Sequence, residues 1–467
     1  MSTERRTSRA RLALVVFGLC SAVGSTAGQD QAGKPPDDFT MALTGDSIIT
    51  RRLSVYKEPA FLEMIELVRG ADVAFTNLEM LFHDFEPYPM NESGGTYMRG
   101  EPALAEELVW AGFDMVARAN NHTGDYGAEG MRLTTAHVAK AGLVQAGVGE
   151  NLAEAREPKF VETAKARVAL VAAASTFTDH SRAGHARGGV RGRPGLSPLR
   201  FTTSYRLPRE RLEQLQAVAK EAGRATTIRD GALTFFNTRF VAGDAPGAVS
   251  EPREEDVEEI AAAVRSASKL ADYTIVSLHS HESDGDRTAP ARFLVEAAHA
   301  LVDAGADVIV GHGPHRLRGI EIYKGKLILY SLSDFIFQNE TLLRLPSENF
   351  ETYNLGPEAQ VSDFNDRRYD NDRRGFPVDR EVWESVVAVP RWRGRRLVAV
   401  ELHPIGLGFG QPAARRGRPM LADGELAQKI IADLSERSKR FGTKIEFSGG
   451  IGHVVLEKNV GTGPKHE

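Results

Sequence analysis

Apolar positions along this chain switch repeatedly between two spacings, and the order of the switches outlines a fold. Short apolar runs suited to buried strands occur at 41–46, 73–79, 113–117, 168–173, 272–278 and 306–310. Helical spacing runs through 58–69, 101–111, 128–141, 254–269 and 288–303. Alternation of this kind predicts stacked layers of sheet and helix, an α/β fold. The rhythm breaks at 180–200, a stretch rich in Gly, Arg and Pro, followed by an amphipathic helix at 209–223 and strand-like 233–236. An insertion over about 178–250 is expected there. Hairpins are predicted at 319–330, around Lys324-Gly325, and at 384–402, with 339–380 reading as polar and irregular between them. A helix at 424–440 and a strand near 452–456 close the chain. One domain over 38–410 with a C-terminal extension over 411–467 accounts for this order better than two independent domains.

The first residues follow another pattern. Arg5, Arg6, Arg9 and Arg11 precede the apolar run 12–20, and the small residues Ser25-Thr26-Ala27-Gly28 follow it. A basic start, a short apolar centre and a small-residue exit predict a secretory signal peptide over 1–28, then a linker over 29–37. The expectation is an exported protein, periplasmic or extracellular, with an uncleaved N-terminal membrane anchor as the alternative. The only cysteine, Cys20, falls inside the signal, so the mature chain can form no disulfide. A formal charge of −5, made more negative by loss of the leader arginines, argues against a nucleic-acid partner.

Candidate chemistry collects where predicted strands end, the edge at which open α/β sheets bind ligands. Asp46 and Glu79 close two runs, Asn121 and His122 follow a third, and His279, His281, His312 and His315 follow two more. Carboxylates, an amide and several imidazoles on one rim predict a site for one or two divalent metal ions, with Mn, Zn or Fe suited to mixed nitrogen and oxygen donors. Another concentration of charge lies in 180–200, where Arg182, Arg187, Arg191 and Arg193 offer forked donors to an anionic polymer or a phosphorylated substrate.

The motifs Gly45-Asp46, Asn77-Leu78-Glu79, Asn120-Asn121-His122 with Asp125-Tyr126-Gly127, and Gly311-His312-Gly313-Pro314-His315 resemble those of the CapA/PgsA-type capsule (poly-γ-glutamate) synthesis proteins. So do Gly319-Ile320-Glu321 and Tyr330-Ser331-Leu332-Ser333-Asp334-Phe335. That family belongs to the calcineurin-like metallophosphatase superfamily, and the resemblance spans roughly 38–340. It implies a four-layer αββα sandwich of metallophosphatase type. It also implies metal ligation by Asp46, Glu79, Asn121, His279, His312 and His315, with His122 as proton donor and Asp125 orienting it. His281 and Glu282 are additional candidates. A metal-dependent hydrolase or transferase working beside membrane-bound capsule synthesis machinery is expected, with a non-catalytic polymer-binding envelope protein as the alternative. Two departures stand out: Ile48 occupies the place of a first-strand histidine, and Ser333-Asp334-Phe335 replaces the usual Gly-Asn-Phe.

Overall fold

The computed structural model describes residues 38–224 and 226–456, so the leader and linker expectations lie outside the described residues. Two sheets form the body. The first has ten strands and the second six. In the first, the strand Asp38–Ile48 lies between Val73–Leu78, parallel to it, and Glu384–Arg393, antiparallel. Met115–Ala117 and Val144–Ala146 continue the parallel side. In the second, Arg167–Ala174, Tyr273–His279, Val308–His312 and Lys326–Leu329 run parallel in that spatial order.

Alternation along each strand makes the layers. Met41, Leu43 and Phe75 share one core with Val168, Leu170, Ile275, Val308 and Val310, so these inward faces of the two sheets pack together. Ala42, Ala74 and Val116 face the other way, onto Phe61, Met64, Ile65 and Val68 of the helix Pro59–Arg69 and onto Leu104 and Leu108 of Leu104–Ala111. On the far side, Val171, Val276 and Ile309 meet the helices Glu254–Leu270 and Arg292–Asp303 through Ile260, Val264, Phe293 and Leu301. Each buried aliphatic or phenyl side chain contributes on the order of 1.5–3 kcal/mol. The order helix, sheet, sheet, helix is the αββα sandwich expected from the sequence.

Proline at the first turn and an apolar stripe at i, i+3, i+4 and i+7 (Phe61, Met64, Ile65 and Val68) explain why 59–69 is helical and which side it buries. The insertion forms a separate four-stranded sheet over Phe201–Leu207, Ala232–Phe235, Thr238–Ala242 and Gly247–Pro252, with the helix Arg209–Glu221 beside it. The C-terminal segment is built into the body. Ile430, Ile431 and Leu434 of the helix Gly424–Ser438 join the core between the sheets, and Ile451–Val454 extends the first sheet. Residues 339–380, read as irregular, contain helices Ser347–Thr352 and Val361–Tyr369. The second is started by a capping box of Gln360 and Asp363. Its buried face is only Phe364 and Tyr369, too short a stripe to register as a period. Among the described residues, no helix is long and apolar enough to cross a membrane.

Candidate metal centre

Parallel strands from both sheets bring their carboxyl ends to one rim. Asp46 lies near the end of Asp38–Ile48, and Asp334, which opens Asp334–Phe337, is its register partner on the neighbouring strand. A Cβ at Gly45 would fall 2.0 Å from the Ser333 carbonyl oxygen, so the approach of these two chains needs glycine. The Asp46 N–H donates to that same carbonyl at 2.9 Å. Gly313, at φ +109°, lets the loop after Val308–His312 turn beside His281 and donate its N–H to Asp46 Oδ2 at 2.8 Å.

Glu79 is the centre of the arrangement. It is fully buried, and neither carboxylate oxygen has a hydrogen-bond partner. Its Oε1 lies 3.9 Å from His122 Nε2, 3.8 Å from His279 Nε2 and 4.0 Å from His315 Nε2. Those separations exceed hydrogen bonds. They fall within the span of about 4 Å open to two ligands bonded at about 2.0–2.2 Å to one ion. Two groups have donor atoms that all lie within 4.8 Å of one another: Glu79, His281 and His315, and Asp46, Glu79, His315 and Asp334. Asp334 Oδ2 and Asn121 Oδ1 are also buried without a partner. Four acceptor oxygens left without donors in a buried pocket are the donor chemistry that a divalent cation completes.

The electrostatics point the same way. Burial, and then the Asp334 charge, raise Asp46 to about 7. Burial and the neighbouring Asp46 push Glu79 well above the ordinary carboxylate range. Burial also raises Asp334, against the pull of His315. His315 shows the reverse balance: burial lowers it, but Asp334, 2.9 Å from its Nδ1, outweighs that and holds it above its usual value. His279 and His281 are driven down, first by burial and then by neighbouring histidines, and their Nε2 atoms lie 3.0 Å apart.

His122 and Asp125 form a second unit at the edge. Asp125 Oδ2 sits 2.8 Å from His122 Nδ1 and accepts the Met98 N–H, while Oδ1 accepts the Gly94 N–H. The acid therefore fixes both the imidazole and the loop at 94–98, with His122 Nε2 toward Glu79. Asn121 Nδ2 donates to the Gly94 carbonyl, which fixes its amide.

Other residues expected at the site lie elsewhere or serve other contacts. His312 points between the sheets, edge-on to Phe75, with Nδ1 3.2 Å from Ser277 Oγ and Nε2 3.2 Å from the Thr44 carbonyl. Both ring nitrogens thus have protein partners, one reaching across to the opposite sheet, and burial lowers the ring to about 4. His312 belongs to neither donor group. His279 is outside both groups too, although it adjoins Glu79 and its Nδ1 lies 3.8 Å from Asp46. Glu282 accepts hydrogen bonds from Ser175, Thr176 and Ser280, which anchors the loop bearing His281.

Beside the centre opens a cavity of about 290 Å³ whose wall includes His122, His281, His315 and Asn121. None of Arg182, Arg187, Arg191 and Arg193 lines it. Arg187 and Arg191 are exposed, and Arg193 donates to the Arg182 carbonyl within the loop. The arginines that do line it are Arg287, Arg316, Arg318 and Arg368, which the sequence reading missed. Two of them had a signal, since Arg316 and Arg318 lie one and three positions after His315. Asp334 and Asn77 were missed as well. Asn77 Nδ2 donates to Asp46 Oδ1 at 2.7 Å and lies 3.3 Å from His279 Nδ1.

Comparison with known proteins adds two kinds of likeness, to a family model and to individual relatives. The family model described as "Bacterial capsule synthesis protein PGA_cap" matches residues 40–339. The chain is similar to "Uncharacterized protein y4sH" of Sinorhizobium fredii, 36% identical over 436 residues that cover 90% of this chain and 94% of that one. It is also similar to "Capsule biosynthesis protein CapA" of Bacillus anthracis, at 24% identity over 64% of this chain and 60% of that one. A likeness to "PGA biosynthesis protein CapA" of Bacillus subtilis, at 28% identity, covers 59% of this chain and 60% of the relative.

Proposed function

The chain belongs to the bacterial capsule synthesis protein family PGA_cap, and from that membership we propose that it is an exported, metal-dependent hydrolase or transferase. Its substrate is a phosphoester or a γ-glutamyl polymer of the capsule type, in keeping with the printed names of its Bacillus relatives. The observation that carries this reading is the set of buried, unpartnered oxygens of Glu79 and Asp334 inside overlapping donor groups, with the unpartnered Asn121 oxygen as a further one. Asp46, Glu79, His281, His315 and Asp334 would hold the ion, with Asn121 as a further oxygen donor. A bound divalent cation supplies a water of lowered pKa and polarises the bond under attack. His122 Nδ1 is engaged by Asp125, so Nε2 is the atom that passes a proton to the leaving group. Asp125 keeps the ring from turning, and its two backbone donors keep Asp125 in place.

Elemental analysis of the purified chain beside a Glu79→Gln/Asp334→Asn variant tests this directly. The expected result is about one or two equivalents of Mn, Zn or Fe in the parent, as hydrolytic metal sites hold, and loss of metal in the variant. A folded parent that takes up no metal when supplied overturns the reading.

A second reading, a non-catalytic envelope protein that binds anionic polymer, is favoured by one observation. Ile48, where the resemblance leads one to look for a histidine, is buried and lines the cavity. His122→Ala separates the two, since an enzyme keeps metal and loses turnover whereas a binding protein is unchanged.

A further inference from the structure

Among the residues lining the cavity beside the centre there is no aspartate or glutamate, yet four arginines are present. The charge of one is already answered: Arg316 donates to Asp379 at 2.8 Å and to Glu381 at 2.7 Å. Arg318 differs. It is 1% exposed and donates to the Ser280 and His281 carbonyls at 3.3 and 3.1 Å, with no carboxylate within ion-pair distance among the described residues. Burial lowers it to about 10, so it remains a cation at neutral pH. Arg368 donates to the Thr96 hydroxyl and lies 5.1 and 5.8 Å from the ring centres of Tyr369 and Phe376, and it too has no ion pair among the described residues. Arg287 has only Asp379, at 3.8 Å.

A buried guanidinium held by neutral carbonyls and facing a cavity without acids has no carboxylate in contact of the kind that usually accompanies burial, since Glu282, Asp286 and Asp284 act on it only from beyond ion-pair distance. Arg368, half-buried and likewise without an ion pair among the described residues, shares that cavity, as does the weakly paired Arg287. We infer that this cavity binds an oxyanion group of the substrate, a carboxylate or a phosphate, through Arg318, Arg368 and Arg287. The forked donors match the planar or tetrahedral oxygens of such a group. Arg318 has a further effect, because its carbonyl partners tie the anion subsite to the loop carrying His281. The inference rests on the proposed metal-assisted chemistry for the adjacent site and adds the residues that recognise the substrate's charge. It also places the recognition of charge on this wall rather than on the exposed arginines of the insertion.

Calorimetric titration of the full, metal-loaded chain tests it, with inorganic phosphate in one arm and a γ-linked glutamate oligomer in the other. Binding in either arm identifies the oxyanion. Arg287→Gln and Arg368→Gln, both away from the metal donors, are each expected to weaken it at least about tenfold, the loss of a charge-assisted hydrogen bond, with metal content unchanged. No binding in either arm, or equal affinity in the Arg287→Gln/Arg368→Gln double variant, overturns the inference. A parent without metal that still binds anion through these arginines sinks only the metal chemistry. A metal-bearing, active parent indifferent to both substitutions sinks only the anion site.

Discussion

Two buried aspartate and glutamate sites in this protein have opposite surroundings. Asp256, in the first turn of Glu254–Leu270, is 1% exposed and receives Arg156 Nη2, Arg200 Nη2, Arg200 Nε and the Arg200 N–H at 2.7–2.9 Å. Burial would raise it, but the two guanidinium groups and that backbone donor outweigh burial and hold it below its ordinary value. Glu79 is as deeply buried, has no donor on either oxygen, and is pushed up by burial and by Asp46. The chain therefore completes one acid internally and gives the other no hydrogen-bond donor. That contrast separates structural carboxylates from functional ones better than burial does, since burial is the same in both.

Neutralising each acid should move stability in opposite directions. Asp256→Ala leaves Arg156 buried without its main counter-charge and is expected to cost about 3–5 kcal/mol, measured by denaturant unfolding. Glu79→Gln in metal-free protein relieves the burial and Asp46 repulsion that burden this carboxyl and is expected to stabilise the chain. The same variant should lose metal. If both substitutions destabilise the metal-free chain equally, Glu79 has a partner that the geometry does not supply and the contrast fails.

The pH dependence sharpens the comparison, because the two sites have linkage of opposite sign. Asp46 titrates near 3.8 when unfolded and at about 7 when folded. Between those values the folded state keeps a proton that the unfolded state has given up, so metal-free stability falls as pH rises across that window. Asp256 is lowered on folding, so its contribution is complete above its unfolded value and is lost as pH falls through its folded one. Thermal unfolding of metal-free protein should therefore weaken toward both ends, and Asp46→Asn should lessen the slope of the limb between about pH 4 and 7 without abolishing it, because Glu79 and Asp334 are raised as well. Saturating metal should remove that limb, because the ion takes the place of the protons.

The same physics explains what the sequence made legible. Strand periods were read correctly because each strand buries both faces between layers, and Asp46 and His315 could be placed at strand ends from that pattern alone. The side of the strand was not legible. His312 and His315 look equivalent in Gly-His-Gly-Pro-His. Yet His312 continues the inward alternation of Val308 and Val310, whereas His315, at φ 50°, lies beyond the turn and faces Glu79. Asp334 was hidden for another reason. Its role depends on register with Asp46, 288 positions earlier in the chain, and only the parallel pairing of their strands reveals it. Arg368 lies on a helix with too small a buried face to announce itself.

The smallest expected effect concerns the arginines that composition made conspicuous. Arg200 belongs to the Asp256 site, but Arg182, Arg187, Arg191 and Arg193 make no ion pair among the described residues and line no part of the cavity. A density of positive charge in sequence therefore produced one structural clamp and a solvated loop. Replacing each of the four with Gln should change unfolding stability by no more than about 0.5 kcal/mol and leave phosphate affinity unchanged, whereas Arg200→Gln should cost about 1–3 kcal/mol through the acid it leaves half-answered. A marked loss of anion affinity in the four-fold variant would move substrate recognition to the insertion. The distinction between arginines with and without a place in the fold would then no longer predict which ones meet the ligand.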